Sequence, residues 1–488
     1  MKHSLLFLPI TVIAFSCALL SCEKDDEIID NGKTEQQDPK EAELQKQLSA
    51  QRFYMKKYFE EYYPYYFWYD DMVQTVKNYK YDDYTSIFDY FDATLFREDR
   101  WSWMMTASDY LSSEAGEQTG TYGVSFGQPF EYFRDYDLHV RFIYPGSPFE
   151  EHGVTRGWTL THMDSVPVMN YLIAGQYEKA LYKKNQLFTF KDLEGNPHTF
   201  RSSPLPLLNV RSSLITRIFE PSEYPGLTEP VGYFMYLSYK ANFLSDIDSA
   251  FAKFHEAGVK KVILDLRYNG GGDSRAENLL VNYLAPASAD HQVYKRMIHN
   301  NALTYLNRTD TISRQPNSLD VDKLYVITGE GTASASEVTI NSLRPLLDVY
   351  LVGDTTYGKP NGMYVLLYPG TDEDYARYEN DDYSKLKLVY LPIAFFNKNG
   401  QGESIPYKGF IPSNYRPDDL YHDFGVEEDN IKACLEHIVN GTFPVLPDKE
   451  RIQTKGMAPG ANVKMLDDLM KSPLYGKTLL PAPKELRK

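Results

Sequence analysis

Hydrophobic and polar positions divide the chain into three successive regions with different periodicities. Apolar and aromatic residues between Ile87 and Leu95 recur at helical spacing, which predicts a small helical module over residues 49–118. Over residues 119–207, apolar positions form short runs such as the alternating segment from Leu138 to Tyr144, which predicts a β-rich domain. Over residues 208–440, apolar strands alternate with amphipathic helices, and this order is typical of an α/β domain.

The α/β region contains runs that are apolar along nearly their whole length, as expected for strands buried on both faces. These predicted strands are 259–266, 323–328 and 349–353, and a further strand is predicted at 231–237. Between 231–237 and 259–266, Ile247 and Phe251 lie on one side of a predicted helix. Ser245 with Asp248 three positions later resembles a capping box, and Gly258 marks the end of this helix.

The first residues of the chain carry the pattern of an export signal. A positive start is followed by an apolar run from Leu5 to Leu20, which is too short for a comfortable membrane span and predicts a signal peptide over residues 1–21. The run ends in Leu19-Leu20-Ser21-Cys22, which resembles a bacterial lipobox. This resemblance implies that Cys22 is diacylated and anchors the chain to a membrane. An ordinary signal peptide with an incidental cysteine is the alternative.

The segments that flank the folded regions are predicted to have different roles. Residues 22–48 are polar and without aromatic residues, so we expect a disordered tether. Their acidic start resembles the surface-export signals of some Gram-negative lipoproteins, which implies a cell-envelope location, in the outer membrane and with possible surface exposure. Residues 441–488 form a C-terminal extension.

Composition excludes several classes of function. The 488-residue chain has a formal net charge of −16 and no basic stripe, so nucleic acid is not a predicted partner. The histidines are scattered and no paired-cysteine spacing occurs, so we predict neither a metal site nor a cofactor. Beyond residue 21 the cysteines are Cys22 and Cys434, which leaves no disulfide framework.

A serine follows the strand 323–328 in a turn of small residues. Gly331-Thr332-Ala333-Ser334-Ala335-Ser336-Glu337 places Ser334 where a helix begins, and unpaired N–H groups at that position favour developing negative charge. For an isolated serine, a helix cap would be the simpler interpretation. A catalytic serine also needs a base within hydrogen-bond reach, because a hydroxyl is a weak nucleophile at neutral pH.

The wider pattern around this serine favours catalysis. The sequence GTASASE, followed by a strand and then TTYGK ending at Lys359, resembles the C-terminal processing (tail-specific) peptidases. The resemblance implies that Ser334 is the nucleophile and Lys359 the general base. A lysine can act as a base only if desolvation lowers its pKa from ~10.4 toward ~7, and the apolar strand before Lys359 is consistent with such a setting.

A glycine-rich loop follows the strand 259–266. Its sequence, Asp265-Leu-Arg-Tyr-Asn-Gly-Gly-Gly272, matches the family's DLRxNGGG motif. The resemblance implies an oxyanion hole built from the amides of Gly272 and Ala335, with Gly271 as the alternative glycine. A phosphate-binding loop is the competing interpretation, but the loop lacks the Lys-Ser/Thr of a P-loop and the GxGxxG spacing of a dinucleotide site. The implied fold is an α/β catalytic domain of the ClpP/crotonase-like class.

The chain departs from the family pattern after the base lysine. Many relatives have a glutamine four residues after that lysine to orient it, and here this position is Met363. Asn361 is one candidate to replace the missing amide. The segment that begins at Gly409-Phe410 resembles a turn near the end of the family's catalytic domain and predicts structural support only.

The β-rich region resembles a PDZ domain through its PGSP turn, short helix and hairpin. Gly123, Val124 and Phe126 lie where PDZ domains bind a peptide carboxylate with backbone N–H groups and accept the peptide as an added strand. Gln128-Pro129 interrupts the expected strand, because proline removes a donor from the ladder.

The sequence as a whole predicts a serine endopeptidase that acts on protein or peptide substrates through an acyl-enzyme. Two alternatives stay open. One is a lipoprotein that keeps the fold and binds peptides or another ligand without turnover, and the other is a hydrolase with a non-peptide acyl substrate.

Overall fold

The structure is a computed structural model, and it describes residues 66–67, 83–84, 86–96, 99–128, 135–368, 388–446 and 478–481. The predicted signal peptide 1–21, the lipidation site Cys22 and the tether 22–48 lie outside the described residues, as does most of the aromatic start of the module 49–118. The C-terminal extension is described at 441–446 and 478–481.

The strands of the described residues are numbered in chain order. They are β1 Trp103–Thr106, β2 Glu117–Thr121, β3 Val124–Gly127, β4 Leu138–Ile143, β5 Thr159–Met163, β6 Val166–Pro167, β7 Gln186–Lys191, β8 Pro197–Ser202, β9 Leu205–Asn209, β10 Ser213–Phe219, β11 Val231–Tyr236, β12 Lys261–Asp265, β13 Gly272–Asp273, β14 Val293–His299, β15 Arg308–Thr311, β16 Lys323–Thr328, β17 Asp348–Gly353, β18 Asn361–Tyr368, β19 Leu388–Leu391, β20 Ile393–Asn399, β21 Asn414–Tyr415 and β22 Thr478–Pro481.

The α-helices of the described residues are numbered in the same way. They are α1 Ile87–Thr94, α2 Ala107–Glu114, α3 Val168–Ile173, α4 Tyr177–Leu181, α5 Leu244–Glu256, α6 Ser274–Leu284, α7 Ala335–Leu343 and α8 Asp429–Asn440. Short 3₁₀ turns occur at Glu150–His152, Ala241–Phe243, Ala287–Ala289 and Asn301–Leu306. Within the described ranges, no helix combines the length and the hydropathy needed to cross a bilayer.

The α/β region is built on a six-stranded sheet with the order β10-β11-β12-β16-β17-β21. Strands β11 to β21 of this sheet run parallel to their neighbours, and β10 pairs antiparallel with β11. Helices α5, α6 and α7 cover one face, and α8 covers the other. A buried Phe or Leu in such a layer stabilises the fold by about 1.5–3 kcal/mol. The α/β organisation predicted for residues 208–440 is therefore confirmed.

The strand order of this sheet brings the three candidate site loops to one edge. Strands β12, β16 and β17 are consecutive and parallel, so the loops after them emerge at the same edge. In open α/β sheets, sites form outside the carboxyl ends of the strands. The loops in question carry the glycine motif, the serine turn and the lysine.

A second sheet continues the chain beyond the lysine. Its main path is β1-β19-β18-β20-β14-β15, and β22 pairs with both β18 and β13. Strand β1 is a correction to the sequence interpretation, which made residues 49–118 a helical module. Met104 and Met105 are buried where β1 pairs with β19, so this stretch is drawn into the sheet by tertiary pairing.

A third sheet, with the order β3-β4-β5-β7-β8 and β6 paired to β5, lies within residues 119–207. Its core is aromatic, and Phe149, Phe188 and Phe190 are fully buried within it. The ring centroids of Phe149 and Phe188 are 4.9 Å apart in an edge-to-face arrangement. The β-rich prediction is confirmed, while the PDZ resemblance stays a prediction.

The start of α5 differs from the predicted capping box. A 3₁₀ turn runs directly into the helix, so the helix begins at Leu244 with Phe243 as its cap residue. Ser245 therefore lies inside the first turn, and its hydroxyl accepts a hydrogen bond from Arg211 instead. Gly258 follows the helix with φ +69°, as predicted for a helix end.

Candidate active site

Ser334 lies between β16 and α7 and is fully buried. Its backbone has φ 60° and ψ −115°, a conformation that non-glycine residues seldom adopt and that costs of order 1–3 kcal/mol. Hydrogen bonds hold the strained turn, because Ser334 N donates to Glu337 Oε2 at 3.0 Å. The position at the start of α7 places the serine in the positive field of the helix dipole.

Lys359 lies in the loop after β17, two residues before β18, and is also fully buried. Its Nζ is 3.9 Å from the Sδ of Met363. A thioether is a weak hydrogen-bond acceptor.

Glu337 joins the serine turn to the lysine loop. Its Oε2 accepts from Ser334 N at 3.0 Å and from Lys359 N at 2.8 Å. Its Oε1 accepts from Thr356 Oγ1 at 2.6 Å and from Gly358 N at 2.7 Å. Burial raises the pKa of the Glu337 carboxyl, and these four hydrogen bonds oppose that rise. One carboxylate thus fixes the serine turn against the lysine loop.

Asn269 organises the glycine loop. Its side-chain Nδ2 donates to Tyr236 O at 2.7 Å, and its Oδ1 accepts from Gly271 N at 2.8 Å. Its backbone oxygen accepts from Ala333 N at 3.1 Å and from Ser336 Oγ at 2.9 Å. The residue therefore connects the glycine loop to both sides of the serine turn. Neither Glu337 nor Asn269 was assigned from the sequence, although both lie inside the motifs.

The two glycines of the loop are in conformations that require glycine. Gly271 has φ +101°, and a Cβ there would lie 2.9 Å from both Ser334 Cβ and Ala335 N. Gly272 has φ +141°, and a Cβ there would lie 2.0 Å from Tyr239 O. The Gly271 amide is already bonded to the asparagine side chain. The Gly271 amide is thus occupied, and the oxyanion role of Gly272 and of Ala335, the first residue of α7, stays a prediction.

Asn361 does not fit the hypothesis that it replaces the glutamine found in many relatives. Asn361 is fully buried, and its side-chain nitrogen and oxygen have no hydrogen-bond partner among the described residues. Asn361 therefore does not replace the amide that would orient Lys359, and the Met363 thioether lies 3.9 Å from the lysine Nζ. Two unpaired buried polar atoms cost about 1–3 kcal/mol each and call for a functional explanation.

The turn at Gly409 contacts the lysine loop. Thr356 N donates to Phe410 O at 3.1 Å, and Phe410 N donates to Thr356 Oγ1 at 2.8 Å. A Cβ at Gly409 would lie 1.8 Å from Thr356 O, so only glycine allows this approach. The Thr356 hydroxyl in turn donates a hydrogen bond to Glu337 Oε1.

The predicted peptide-binding loop of the β-rich domain is part of a separate sheet and core. Val124 and Phe126 are buried in the domain core, and β3 forms the end of the sheet order. Gly123 N donates to Thr121 Oγ1 at 2.9 Å. That amide is already used, so carboxylate binding would depend on the neighbouring N–H groups.

A buried ionic cluster connects the β-rich domain to the catalytic domain. We call the set Arg156, Arg267, Asp418 and Glu428 the ionic junction. Arg156 Nη2 donates to Asp418 Oδ1 at 2.7 Å, and Arg267 Nη1 donates to Glu428 Oε1 at 2.5 Å. Burial alone would raise the pKa of Asp418, but Arg156 and Arg267 hold it well below its usual range. The sequence analysis did not identify this cluster.

Other reactive groups do not form a second site in the part of the chain that the structure covers. Across the described ranges, no three His, Cys, Asp or Glu side chains come together as metal ligands. Burial raises the pKa of the Cys434 thiol well above its ordinary value, which makes it inert rather than nucleophilic.

The geometry defines a class of site, namely a strained, buried serine at a helix start that is held against a buried lysine loop at the edge of a mostly parallel sheet. Comparison with known proteins agrees, since residues 230–386 match the profile of peptidase family S41. This part of the chain is similar to S41 serine-type peptidases, and the relatives that the chain matches include C-terminal processing peptidases.

Two of these relatives are chloroplast proteins. The C-terminal processing peptidase of Tetradesmus obliquus is 25% identical over 233 residues, which is 44% of this chain and 46% of that relative. Carboxyl-terminal-processing peptidase 3 of Arabidopsis thaliana is 26% identical over 274 residues, 52% of this chain and 49% of the relative. The chain thus spans about half the length of the curated relatives it matches.

One solved structure shares the fold over most of the chain. A protein of Bacteroides fragilis NCTC 9343 assigned to the S41 proteases is 21% identical, with a TM-score of 0.60. The match covers 80% of this chain and 97% of that one.

Proposed function

We propose that the protein is a serine endopeptidase that cleaves protein or peptide substrates with Ser334 as nucleophile and Lys359 as general base. The observation that carries the proposal is the shared Glu337 oxygen, which accepts from the backbone N–H of both residues. Reacting groups held in this way lose little entropy on reaching the transition state.

The proposed reaction has two halves. The uncharged Lys359 amine takes the proton of Ser334 Oγ as this oxygen attacks the scissile carbonyl carbon. The negative charge on the tetrahedral oxygen is stabilised by the amides of Gly272 and Ala335. The Lys359 ammonium then returns the proton to the leaving nitrogen, the C–N bond breaks, and an acyl ester stays on Ser334.

Hydrolysis of the ester uses the same groups. Water attacks the ester carbonyl while Lys359 accepts one of its protons, and the oxyanion again lies at the two amides. When this intermediate collapses, the bond to Ser334 Oγ breaks and Lys359 returns the proton to the serine. No cofactor or metal is needed for either half.

Labelling with a fluorophosphonate probe tests this proposal. Wild-type protein is expected to be labelled on Ser334, with the site read by peptide mass spectrometry. Ser334→Ala and Lys359→Ala should each reduce the labelling rate by roughly 10³-fold or more. The exposed residues Ser288 and Lys260 offer matched controls, and Ser288→Ala and Lys260→Ala should label like wild type. Wild-type protein that stays unlabelled under all conditions would contradict the proposal.

A second candidate function is peptide binding with impaired turnover. The thioether beside Lys359 favours it, because a thioether orients an amine less firmly than the glutamine of many relatives. Saturable peptide binding measured by calorimetry, without labelling of Ser334 and without cleavage, is the result that would select this candidate.

We also propose that the β-rich domain recruits substrate at the edge of β3. The support is its resemblance to a PDZ domain together with the terminal place of β3 in the sheet order. A peptide with a free C-terminal carboxylate is expected to be cleaved with a lower KM than the same peptide with an amidated terminus. Equal KM values would contradict recruitment through the terminus.

The cellular location is a proposal from the sequence. We propose that the chain is exported and held to a membrane of the cell envelope, the outer membrane of a Gram-negative bacterium, by lipid on Cys22. Metabolic labelling with a tritiated fatty acid should mark the wild-type protein and not Cys22→Ala. Equal labelling of the two would overturn the proposal.

A further inference from the structure

We infer that residues Thr478–Pro481 are a resident occupant of the peptide-binding groove and lower the access of substrate to Ser334. The inference rests on the proposed peptidase function for the identity of the groove. It goes beyond that function because it assigns a regulatory role to a segment of the chain's own C-terminal extension.

The carrying observation is the position of β22 between two strands of the site. β22 pairs in parallel with β13, with Thr478 opposite Gly272 and Leu479 opposite Asp273. It also pairs in parallel with β18, with Leu479 opposite Met363 and Leu480 opposite Tyr364. Leu479 is therefore in register with strands on both of its sides.

Both neighbouring strands belong to the catalytic machinery. β13 begins at Gly272, the glycine proposed to supply an oxyanion amide, and β18 begins two residues after Lys359. A segment that pairs with both passes between the oxyanion loop and the strand that follows the base. An extended peptide that adds as a strand beside this site would need the same backbone groups.

The register places the backbone of Thr478–Pro481 where we expect the backbone of a bound substrate. The residue opposite Gly272 is Thr478, so the segment's backbone lies where the backbone of a bound substrate is needed next to the oxyanion amides. Pro481 ends the strand, and a proline has no N–H to continue a ladder. The segment thus offers three residues with N–H groups and then stops.

A tethered segment competes strongly with free substrate. Intramolecular binding acts at an effective concentration of about millimolar for a flexible connection, which exceeds ordinary substrate levels. Apparent substrate affinity falls in proportion to the fraction of molecules with an open groove. Release of the segment, rather than a change at Ser334, would then switch the enzyme on.

Two matched truncations test the inference. One chain ends at Gly476 and lacks β22, and its control ends at Pro481 and keeps it. The shorter chain is expected to be labelled by a fluorophosphonate about tenfold faster or more, as for a groove that is roughly 90% closed in the control. A synthetic peptide with the sequence of residues 477–484, added to the shorter chain, should slow its labelling in a saturable manner.

A full-length pair covers the case in which truncation harms folding. Leu479→Pro with Leu480→Pro removes two ladder donors and should accelerate labelling as truncation does. Leu479→Ala with Leu480→Ala keeps the donors and should label close to the wild-type rate. Equal labelling rates in the truncated and control chains, with no effect of the peptide, would overturn the inference. Self-cleavage within 478–481 during storage would overturn it as well.

Failure of the proposed function would look different. If no chain is labelled on Ser334, the peptidase proposal fails, and strand pairing is then read from amide hydrogen exchange over Met363 to Val365. Stronger protection of these amides in the chain ending at Pro481 than in the chain ending at Gly476 would still support occupancy. Equal protection would overturn it.

Discussion

We call Ser334, Lys359 and Glu337 the serine–lysine pocket. This pocket and the ionic junction are both polar clusters in the protein interior, but different interactions stabilise them. In the pocket, the Glu337 carboxylate accepts from three backbone N–H groups and one hydroxyl. In the junction, two guanidinium groups face two carboxylates. The pocket therefore depends on backbone geometry, and the junction on balanced charge.

The motif from Asp265 to Gly272 contributes to both clusters. Arg267 belongs to the junction, while Asn269, two residues later, holds the glycine loop and the serine turn. One short motif therefore contributes to two separate clusters. Arg267 stabilises the contact between the domains, and Asn269 positions the glycine loop and the serine turn.

The largest expected effect comes from removing the pocket's acceptor. Glu337→Ala leaves three buried backbone N–H groups without their carboxylate, at about 1–3 kcal/mol each. We expect loss of fluorophosphonate labelling together with a lower melting temperature. Glu337→Gln keeps the size and one acceptor oxygen, so it should fold better than Glu337→Ala while still labelling slowly. Wild-type labelling in Glu337→Ala would show that the carboxylate does not position the pair.

Arg267→Met tests the junction side of the comparison. Glu428 and Asp265 would be left buried beside a missing cation, which is expected to cost about 3–5 kcal/mol of unfolding free energy. Urea denaturation measures the loss. The exposed pair of Lys432 with Glu427 is the matched control, and Lys432→Met should cost less than about 1 kcal/mol. Equal losses in both variants would remove the distinction between buried and exposed pairs.

Acid should affect the two clusters in opposite directions. The folded-state pKa of Asp418 is lowered, so its contribution to stability is complete above its unfolded pKa and is lost as pH falls through the folded value. The folded-state pKa of Glu337 is raised, so the folded protein takes up that proton first and gains relative stability as pH falls through that value. Urea midpoints between pH 7 and pH 3 should fall more steeply at the acid end for wild type than for Asp418→Asn, and parallel curves would contradict this assignment.

The smallest expected effect concerns the residue beside the base. Met363→Gln supplies a full acceptor to the Lys359 amine and should raise the labelling rate by roughly two- to tenfold, about 0.4–1.4 kcal/mol. Met363→Leu keeps the volume and removes the sulfur, and should change stability by less than about 1.5 kcal/mol. A slower Met363→Gln enzyme would show that the apolar setting of the amine matters more than its orientation.

Much of the layered fold could be predicted from the chain alone. The strand at 323–328 matches β16 at both ends, because a continuous apolar run between polar residues has clear limits. The cap of α5 was predicted at Ser245, two residues after the observed cap Phe243, since the preceding 3₁₀ turn is a local geometry that the Ser245 pattern does not report. Strand β1 was missed because its pairing partner β19 is almost three hundred residues away in sequence.

In the candidate site, too, some residues could be assigned from the sequence and others could not. Motif spacing pointed to Ser334, Lys359, Gly272 and Ala335 as reacting groups, and these assignments stay predictions until labelling is measured. Glu337 and Asn269 were overlooked because their work is done on backbone atoms, which a residue-type pattern does not display. The glutamate of SASE could have been noticed as the third residue of a helix, where it reaches back to the cap.

The contact of Arg156 with Asp418 has a consequence for the order of events during folding. The two residues are 262 positions apart, and the chain emerges with its N-terminus first. At a synthesis rate of about 5–20 residues per second, roughly 10–50 s separate their appearance. Throughout that interval the guanidinium of Arg156 stays hydrated, although it is buried in the folded protein. The nascent protein therefore passes through a stage in which this sheet is formed but its docking face is still wet, and chaperones would meet the chain in that half-assembled form.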